Sequence, residues 1–109
     1  MPHMTFNSTR TDAELDEIAA LMAALAHPIR LRIVEGLLSG DCCVGAMVEC
    51  LELPQPLVSR HLSVLRAAGV VTVEREGRRR RYRVTHPRVQ PLIGCVLGPF
   101  PSTERERRP

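Results

Sequence analysis

Two groups of side chains in this 109-residue sequence are of types that carry chemistry. The first is basic and polar: Ser59, Arg60, His61 and Ser63, followed by Arg75, Arg78, Arg79, Arg80, Arg81 and Arg83. Guanidinium and short hydroxyl groups bind phosphates and the edges of bases, so this group predicts contact with a nucleic acid. The second is the adjacent pair Cys42 and Cys43, whose thiols can bind a soft metal ion or be oxidised.

A helix must carry the polar part of the first group. Val58, Leu62 and Leu65 recur at helical spacing and form an apolar stripe. Ser59, Arg60, Ser63 and Arg66 fall on the other side of that helix. Pro54 marks the turn before the helix and Gly69 its end, because proline restricts the residue before it and glycine suits a helix C-terminus.

A β-hairpin must carry the arginines. Val71 and Val73 alternate with polar residues, as do Tyr82 and Val84, which is the two-residue period of paired strands. Gly77 lies between the two runs, where a tight hairpin turn needs a positive φ. A polar-faced helix followed by an arginine-rich hairpin is typical of a winged helix-turn-helix, a DNA-binding module.

Four further helices complete the predicted fold. The first begins at the capping box of Thr11 and Glu14, and the second at His27-Pro28. A third helix, from about Cys43 to Leu51, supports the polar-faced helix, and a last helix from Val89 to Leu97 is apolar nearly all round. The fold class is therefore mainly α with a small β-hairpin wing, in the order α-α-α-α-β-β-α. Residues 1–10 are expected to be a flexible arm, 11–98 the DNA-binding and dimerisation domain, and 99–109 a disordered charged tail.

Three blocks of the sequence resemble the ArsR/SmtB family of bacterial repressors. They are LAHPIRLRIV at 25–34, VSRHLSVLRAAGVV at 58–71, and REGR at 75–78 followed by Tyr82-Arg83-Val84. The resemblance covers roughly residues 15–95. It implies a homodimer, paired through its first and last helices, that binds double-stranded operator DNA and releases it when an inducer arrives.

The expected DNA-binding residues are Gln55, Ser59, Arg60, His61, Ser63, Arg78 and Arg79. Arg78 and Arg79 are favoured among the wing arginines because they lie nearest the hairpin tip, and strand alternation prevents all six from facing DNA. The sequence departs from the family at one point. Pro54 stands where a Ser or Thr usually precedes the glutamine as N-cap, which leaves the role of Gln55 open.

The resemblance places Cys43 where metal-sensing members carry the first cysteine of a CVC pair, but Gly45 stands at the second position. The last helix also lacks the Asp and His spacing of the family's zinc site, so zinc is not expected. Redox, peroxide or persulfide sensing by Cys42 and Cys43 is the favoured interpretation. The position of the two cysteines at the amino terminus of a helix should lower the pKa of their thiols. Consecutive Cα atoms lie ~3.8 Å apart, so a disulfide between them would be strained and easily reduced.

Other interpretations of the cysteines stay open. Vicinal thiols can bind arsenite or another soft ion, with a third sulfur from Cys50 or Cys95. The two residues could also be structural. No cofactor is required in any of these schemes, and arsenite or a soft metal ion would act only as the inducer.

Two other function classes compete. A thiol oxidoreductase should carry C-x-x-C, and the sequence has none; a thiol-dependent enzyme using Cys43 and His27 remains a remote alternative, and no enzyme is expected. A winged helix can also contact proteins, but the arginine-rich wing argues against this.

The distribution of charge supports DNA binding. Residues 1–53 carry three arginines and eight acidic residues, whereas residues 54–109 carry twelve arginines and four acidic residues. A basic half next to an acidic half suits one face directed at a polyanion. The sequence shows no signal peptide and no apolar run near the roughly 20 residues that span a bilayer. With four cysteines, this points to the reducing cytoplasm and no membrane partner.

Overall fold

The computed structural model describes residues 5–98. The elements follow in the order α1 (Asp12–Leu25), α2 (Pro28–Leu38), β1 (Cys42–Cys43), α3 (Val44–Leu51), α4 (Gln55–Ala67), β2 (Val71–Glu76), β3 (Arg79–Val84) and α5 (Val89–Leu97). The predicted mainly helical fold with a winged helix-turn-helix is confirmed. The predicted tail at 99–109 and the first four residues of the predicted arm lie outside the described residues.

The ends of the helices follow from local chemistry. Thr11 and Glu14 form the expected capping box on α1, each side chain bonding the other's backbone. His27 caps α2, since its Nδ1 accepts a hydrogen bond from the Ile29 N–H at 3.0 Å. Gly69 after α4 and Gly77 in the hairpin turn both have positive φ, as their predicted turn roles require.

The sheet has one strand more than predicted. β3 lies in the middle, antiparallel to both neighbours, in the order β1-β3-β2. In β1, Cys42 pairs with Tyr82 and Cys43 with Arg81. Cys43 is also the N-cap residue of α3, which begins at Val44. A two-residue strand is too short to show alternation, so the sequence pattern does not reveal it.

The core lies between the helices and one face of the wing. It is built from buried residues of every helix and of both long strands: Leu21, Leu25, Ile33, Val34, Leu37, Met47, Val58, Leu62, Leu65, Val70, Val71, Tyr82, Val89 and Ile93. Val44, Val48 and Leu51 of α3 pack against this core beside the buried Met47. Since α3 and α4 share the core with the wing strands, the three elements are held in fixed relation.

Some large apolar side chains stay outside the core. Leu15 and Met22 of α1 and Val96 and Leu97 of α5 are exposed, Val96 to 67%. These are the two helices expected to pair with a second copy. None of the helices within residues 5–98 has the length and apolar character to cross a membrane.

Candidate nucleic-acid interface and cysteine pair

A groove of about 800 Å³ opens between α3, α4 and the wing. Five of the seven predicted DNA-binding residues line it: Gln55, Ser59, Ser63, Arg78 and Arg79. The groove therefore brings the polar side of α4 opposite the arginines of the hairpin, which are far apart in sequence.

Two further arginines in the groove were not among the predicted site residues. Arg66 continues the row of Gln55, Ser59 and Ser63 at helical spacing, and Arg80 follows Arg79 on β3. The spacing of four, four and three residues along α4 was a signal that could have identified Arg66. Glu49 of α3 also lines the groove and is the acidic member of its wall.

Gln55 lies between two prolines at the start of α4. Pro54 is the N-cap residue, Gln55 opens the helix, and no side chain caps it. Proline is well suited to this first turn, because Pro56 has no N–H that needs a partner. The Leu57 and Val58 N–H groups both donate to the Pro54 carbonyl, at 3.0 and 3.2 Å. Gln55 is exposed and lines the groove.

The prediction that His61 lies on the exposed, DNA-facing side of α4 is wrong. Its side chain is 7% exposed and turns inward. Its Nδ1 accepts a hydrogen bond from Arg30 Nε at 3.2 Å, and its ring centre lies 4.4 Å from that of His27. His61 follows Val58 by three residues and precedes Leu65 by four, so it belongs to the buried stripe.

Burial lowers the pKa of His61 below its ordinary value, and the nearby charges of His27, Arg30 and Arg60 lower it further. The ring is therefore neutral at neutral pH. Arg60 itself is exposed on α4 but does not line the groove.

The wing arginines divide into two sets. Arg83 forms an ion pair with Glu74 at 2.7 Å, and Arg81 contacts Glu76 at 3.4 Å and Asp41 at 3.7 Å. No ion pair among residues 5–98 involves Arg78 or Arg79, and both are exposed. The tip of the wing therefore presents arginines whose charge is not neutralised by a carboxylate.

The two adjacent cysteines face different surroundings. Cys42 packs against the core, and its thiol donates a hydrogen bond to the Cys43 carbonyl oxygen at 3.4 Å. Cys43 lines the groove together with Ser59 and the wing arginines. This divergence follows from β1, because successive side chains on a strand point to opposite faces.

The expected low pKa is wrong for Cys42. Burial raises the pKa of its thiol, and the neighbouring thiols of Cys43 and Cys50 raise it further. A backbone hydrogen bond at Cys43 and the Arg81 guanidinium oppose this rise. Cys42 lies before the N-cap of α3, so the helix dipole does not dominate its environment.

The other two cysteines do not complete a metal site. Cys50 and Cys95 are free and exposed, as Cys42 and Cys43 are free. Across residues 5–98, no three His, Cys, Asp or Glu side chains are grouped so that they could hold a metal ion. A soft ion would therefore need a rearranged site or sulfur from a second copy.

Comparison with known proteins gives a consistent result. A family model described as bacterial regulatory protein, arsR family, matches residues 27–73. The HTH-type transcriptional repressor SmtB of Mycobacterium tuberculosis is 51% identical over 70 residues, which are 64% of this chain and 52% of that repressor. The chain thus spans about half the length of that relative. The biofilm growth-associated repressor of Xylella fastidiosa is 33% identical over 108 residues, covering 97% of this chain and 91% of that protein.

Solved structures show the same architecture. The homodimeric winged helix-turn-helix DNA-binding domain of a possible ArsR-family regulator from Mycobacterium bovis has a TM-score of 0.75 and 33% sequence identity. The match covers 86% of this chain and 87% of that one.

Proposed function

The chain belongs to the ArsR family of bacterial regulatory proteins, and from that premise we propose that it is a dimeric transcriptional repressor that binds operator DNA. The family's members are regulators, which confirms the expectation that the chain is not an enzyme. As a repressor it would act on chromosomal DNA, in keeping with the expected cytoplasmic location.

The observation that carries this proposal is the composition of the groove. Short polar side chains on α4 face arginines of the wing that have no carboxylate partner among the described ion pairs. Hydroxyl and amide groups on a helix read base edges in the major groove, while arginines bind the phosphates beside it. Both kinds of contact are therefore available on one face.

A dimer would use the exposed apolar residues of α1 and α5. Met22 is 51% exposed and Val96 67%, although each lies on a helix that buries other apolar side chains, Leu21 on α1 and Ile93 on α5. The M. bovis relative is a homodimer with the same fold. A twofold pair would present two copies of α4 to successive major grooves, as helix-turn-helix dimers do.

DNA selection and binding measurements test this function. The wild-type protein is used to select duplexes from a random library, and fluorescence anisotropy then compares a selected duplex with a scrambled one. We expect at least about a thousandfold preference, the lower end for specific over non-specific binding. Equal affinity for both duplexes at every salt concentration would contradict the proposal.

For regulation, we propose a thiol switch at Cys42 and Cys43. With hydrogen peroxide, one thiolate attacks a peroxide oxygen and forms a sulfenic acid as hydroxide leaves and takes a proton to become water. The second thiol then displaces the sulfenic oxygen as a second water, so the pair loses two hydrogens and forms one disulfide.

The strand β1 supplies the link from this chemistry to DNA. A disulfide must bring both sulfurs to one side, whereas β1 directs Cys42 to the core and Cys43 to the groove. Oxidation would therefore disrupt β1 and its pairing with Tyr82 and Arg81 of β3. Since β3 carries Arg79 and Arg80, the wing would lose its position against α4.

The test of the switch uses Cys42→Ser and Cys43→Ser, with Cys95→Ser as the matched control on α5. Under mild peroxide, wild type and Cys95→Ser should release the selected duplex and lose two hydrogens in the peptide that holds both cysteines. The two other variants should stay bound. Release by both of those variants would show that the pair is structural.

A soft metal ion is the second candidate inducer. A third sulfur would have to come from Cys50 or Cys95 after rearrangement, or from a second copy, because no three His, Cys, Asp or Glu side chains of residues 5–98 are grouped to hold a metal ion. Release of DNA by stoichiometric arsenite, without release by peroxide, would favour this alternative.

A further inference from the structure

Arg30 joins three helices that are separate in sequence. From α2, its Nε donates to Nδ1 of His61 on α4 at 3.2 Å. Its Nη1 donates to the Ala24 carbonyl at 3.1 Å and the Ala23 carbonyl at 3.5 Å. Those carbonyls belong to the last turn of α1, where a cation is stabilised by the helix dipole. One guanidinium thus holds α4 against the end of α1.

This contact depends on the protonation state of His61. A guanidinium only donates, so Nδ1 must offer a lone pair, and the proton of the neutral ring must lie on Nε2. A protonated ring carries hydrogen on both nitrogens, which removes the acceptor and sets two positive charges at 3.2 Å. Protonation therefore converts an attraction into a repulsion.

The groups around His61 oppose protonation. The ring of His27, at the start of α2, lies 4.4 Å away at an interplanar angle of 49°, and its own Nδ1 accepts the Ile29 N–H. Arg30 and Arg60 add positive charge from α2 and α4. The α1 side contributes the carbonyls that Arg30 already binds. Burial and these charges keep the pKa of His61 below its ordinary value, so the ring gains its proton only in acid.

We propose that Arg30 is a positioning residue for α4 and that its bond to His61 is proton-sensitive, so that acidification weakens operator binding. The inference rests on the proposed DNA-binding function. It differs from the thiol switch, since His27, Arg30 and His61 lie on the opposite side of α4 from the groove that Cys43 lines.

The test compares operator affinity between about pH 7.5 and 5 for wild type, His61→Asn, Arg30→Ala and His86→Asn. The Asn Oδ1 can stand in for Nδ1 as the acceptor and does not titrate in this range. His86 is the matched control, because its Nδ1 also accepts a hydrogen bond, in this case from the backbone N–H of Arg88 at 3.1 Å, and its hydrogen-bond partner is not Arg30. Circular dichroism monitors the fold of each variant.

Wild type and His86→Asn should lose roughly tenfold in affinity for the selected duplex on acidification, which corresponds to about 1.4 kcal/mol. A loss of this size is expected when one hydrogen bond to a charged group is broken. Binding to the scrambled duplex should not weaken, because added positive charge favours phosphate contact. His61→Asn should keep its affinity across the range. Arg30→Ala should bind weakly at every pH.

The outcomes separate the two proposals. A wild-type protein with no preference for the selected duplex at pH 7.5 would remove the proposed function and this inference with it. A selective protein whose acid response persists in His61→Asn would overturn the inference alone. If Arg30→Ala does not fold, the comparison of His61→Asn with His86→Asn still decides, together with the imidazole ¹⁵N shifts, which must show the Nε2–H form at pH 7.5.

Discussion

The arginines of the wing differ in what already neutralises them. Glu74 binds Arg83 at 2.7 Å, and Arg81 is shared between Glu76 and Asp41. Exposed pairs of this kind contribute only about 0–1 kcal/mol to stability. Their main effect is to hold the guanidinium groups of Arg81 and Arg83 along the sheet, whereas Arg78, Arg79 and Arg80 line the groove.

Replacing Arg78 or Arg79 by Ala should weaken binding to all DNA sequences alike. Each lost phosphate contact flattens the slope of log K against log salt by about 0.9, because fewer counterions are released. Arg83→Ala is the matched control on the same hairpin and should leave the slope almost unchanged. Titrations by anisotropy at several salt concentrations measure the slopes. Equal slopes for all three variants and wild type would mean that Arg78 and Arg79 point to solvent.

Replacing Gln55 or Ser59 by Ala should reduce discrimination rather than general affinity. A specific contact to a base edge is worth roughly 1–3 kcal/mol, and both residues line the groove. Arg60→Ala tests whether Arg60, which is exposed on α4 but does not line the groove, also contributes to discrimination. The ratio of affinities for the selected and scrambled duplexes is the measured quantity. An unchanged ratio in the Gln55 and Ser59 variants would exclude base reading by this face.

For single residues, the sequence predicted which residue types form the site better than it predicted where their side chains point. Ser59 and Ser63, which were predicted to contact DNA, line the groove, because they lie on the side of α4 away from its apolar stripe. His61 was predicted to contact DNA because histidine is found both buried and exposed, although its spacing from Val58 and Leu65 places it on the buried stripe. Its partner Arg30 lies 31 residues away in the chain, and no local pattern reveals such a contact.

At the scale of elements, strong periodicity and caps located the helices well. The capping box starts α1, proline starts α2, and Gly69 and Gly77 mark turns at positive φ. β1 escaped prediction because its two residues gain strand geometry only by pairing with β3. That pairing also directs the side chains of Cys42 and Cys43 to opposite faces of β1. The thiol chemistry of the two residues therefore depends on a tertiary contact.

Because His61 is buried where α2 packs against α4, we expect the protein to lose stability in acid. The pKa of His61 is lower in the folded chain than in the unfolded one, so the unfolded chain binds more protons as the pH falls. The contribution of His61 to the free energy of unfolding is complete above its pKa in the unfolded chain, about 6.5. This contribution is lost as the pH falls through the pKa of His61 in the folded chain. Urea denaturation of wild type should show this loss.

His61→Asn provides the comparison, because its side chain does not titrate. Its free energy of unfolding should fall less than that of wild type between pH 7.5 and 5. His86→Asn should follow wild type. An equal loss in wild type and His61→Asn would assign the acid effect to other groups.

At the scale of the whole molecule, charge and apolar surface lie at different places. The eight acidic residues of positions 1–53 include Asp12, Glu14, Asp16 and Glu17 at the start of α1, whereas the groove is rich in arginine. The exposed apolar residues lie on α1 and α5. The sequence indicated this division through its charge balance and its apolar last helix, but it did not show which α5 residues stay uncovered.

Introducing a charge on this apolar surface should dissociate the dimer. Met22→Asp and Val96→Asp each place a carboxylate where a second copy would exclude water, and an unpaired buried charge costs several kcal/mol. Both side chains are exposed in the single chain, so the fold should persist. Thr72→Asp, on an exposed position of β2, is the control. Sedimentation velocity should show a dimer for wild type and Thr72→Asp, and monomers for the other two. With only one α4 per particle, those monomers should also lose most of their preference for the selected duplex. Dimers that persist in both variants would place the interface elsewhere.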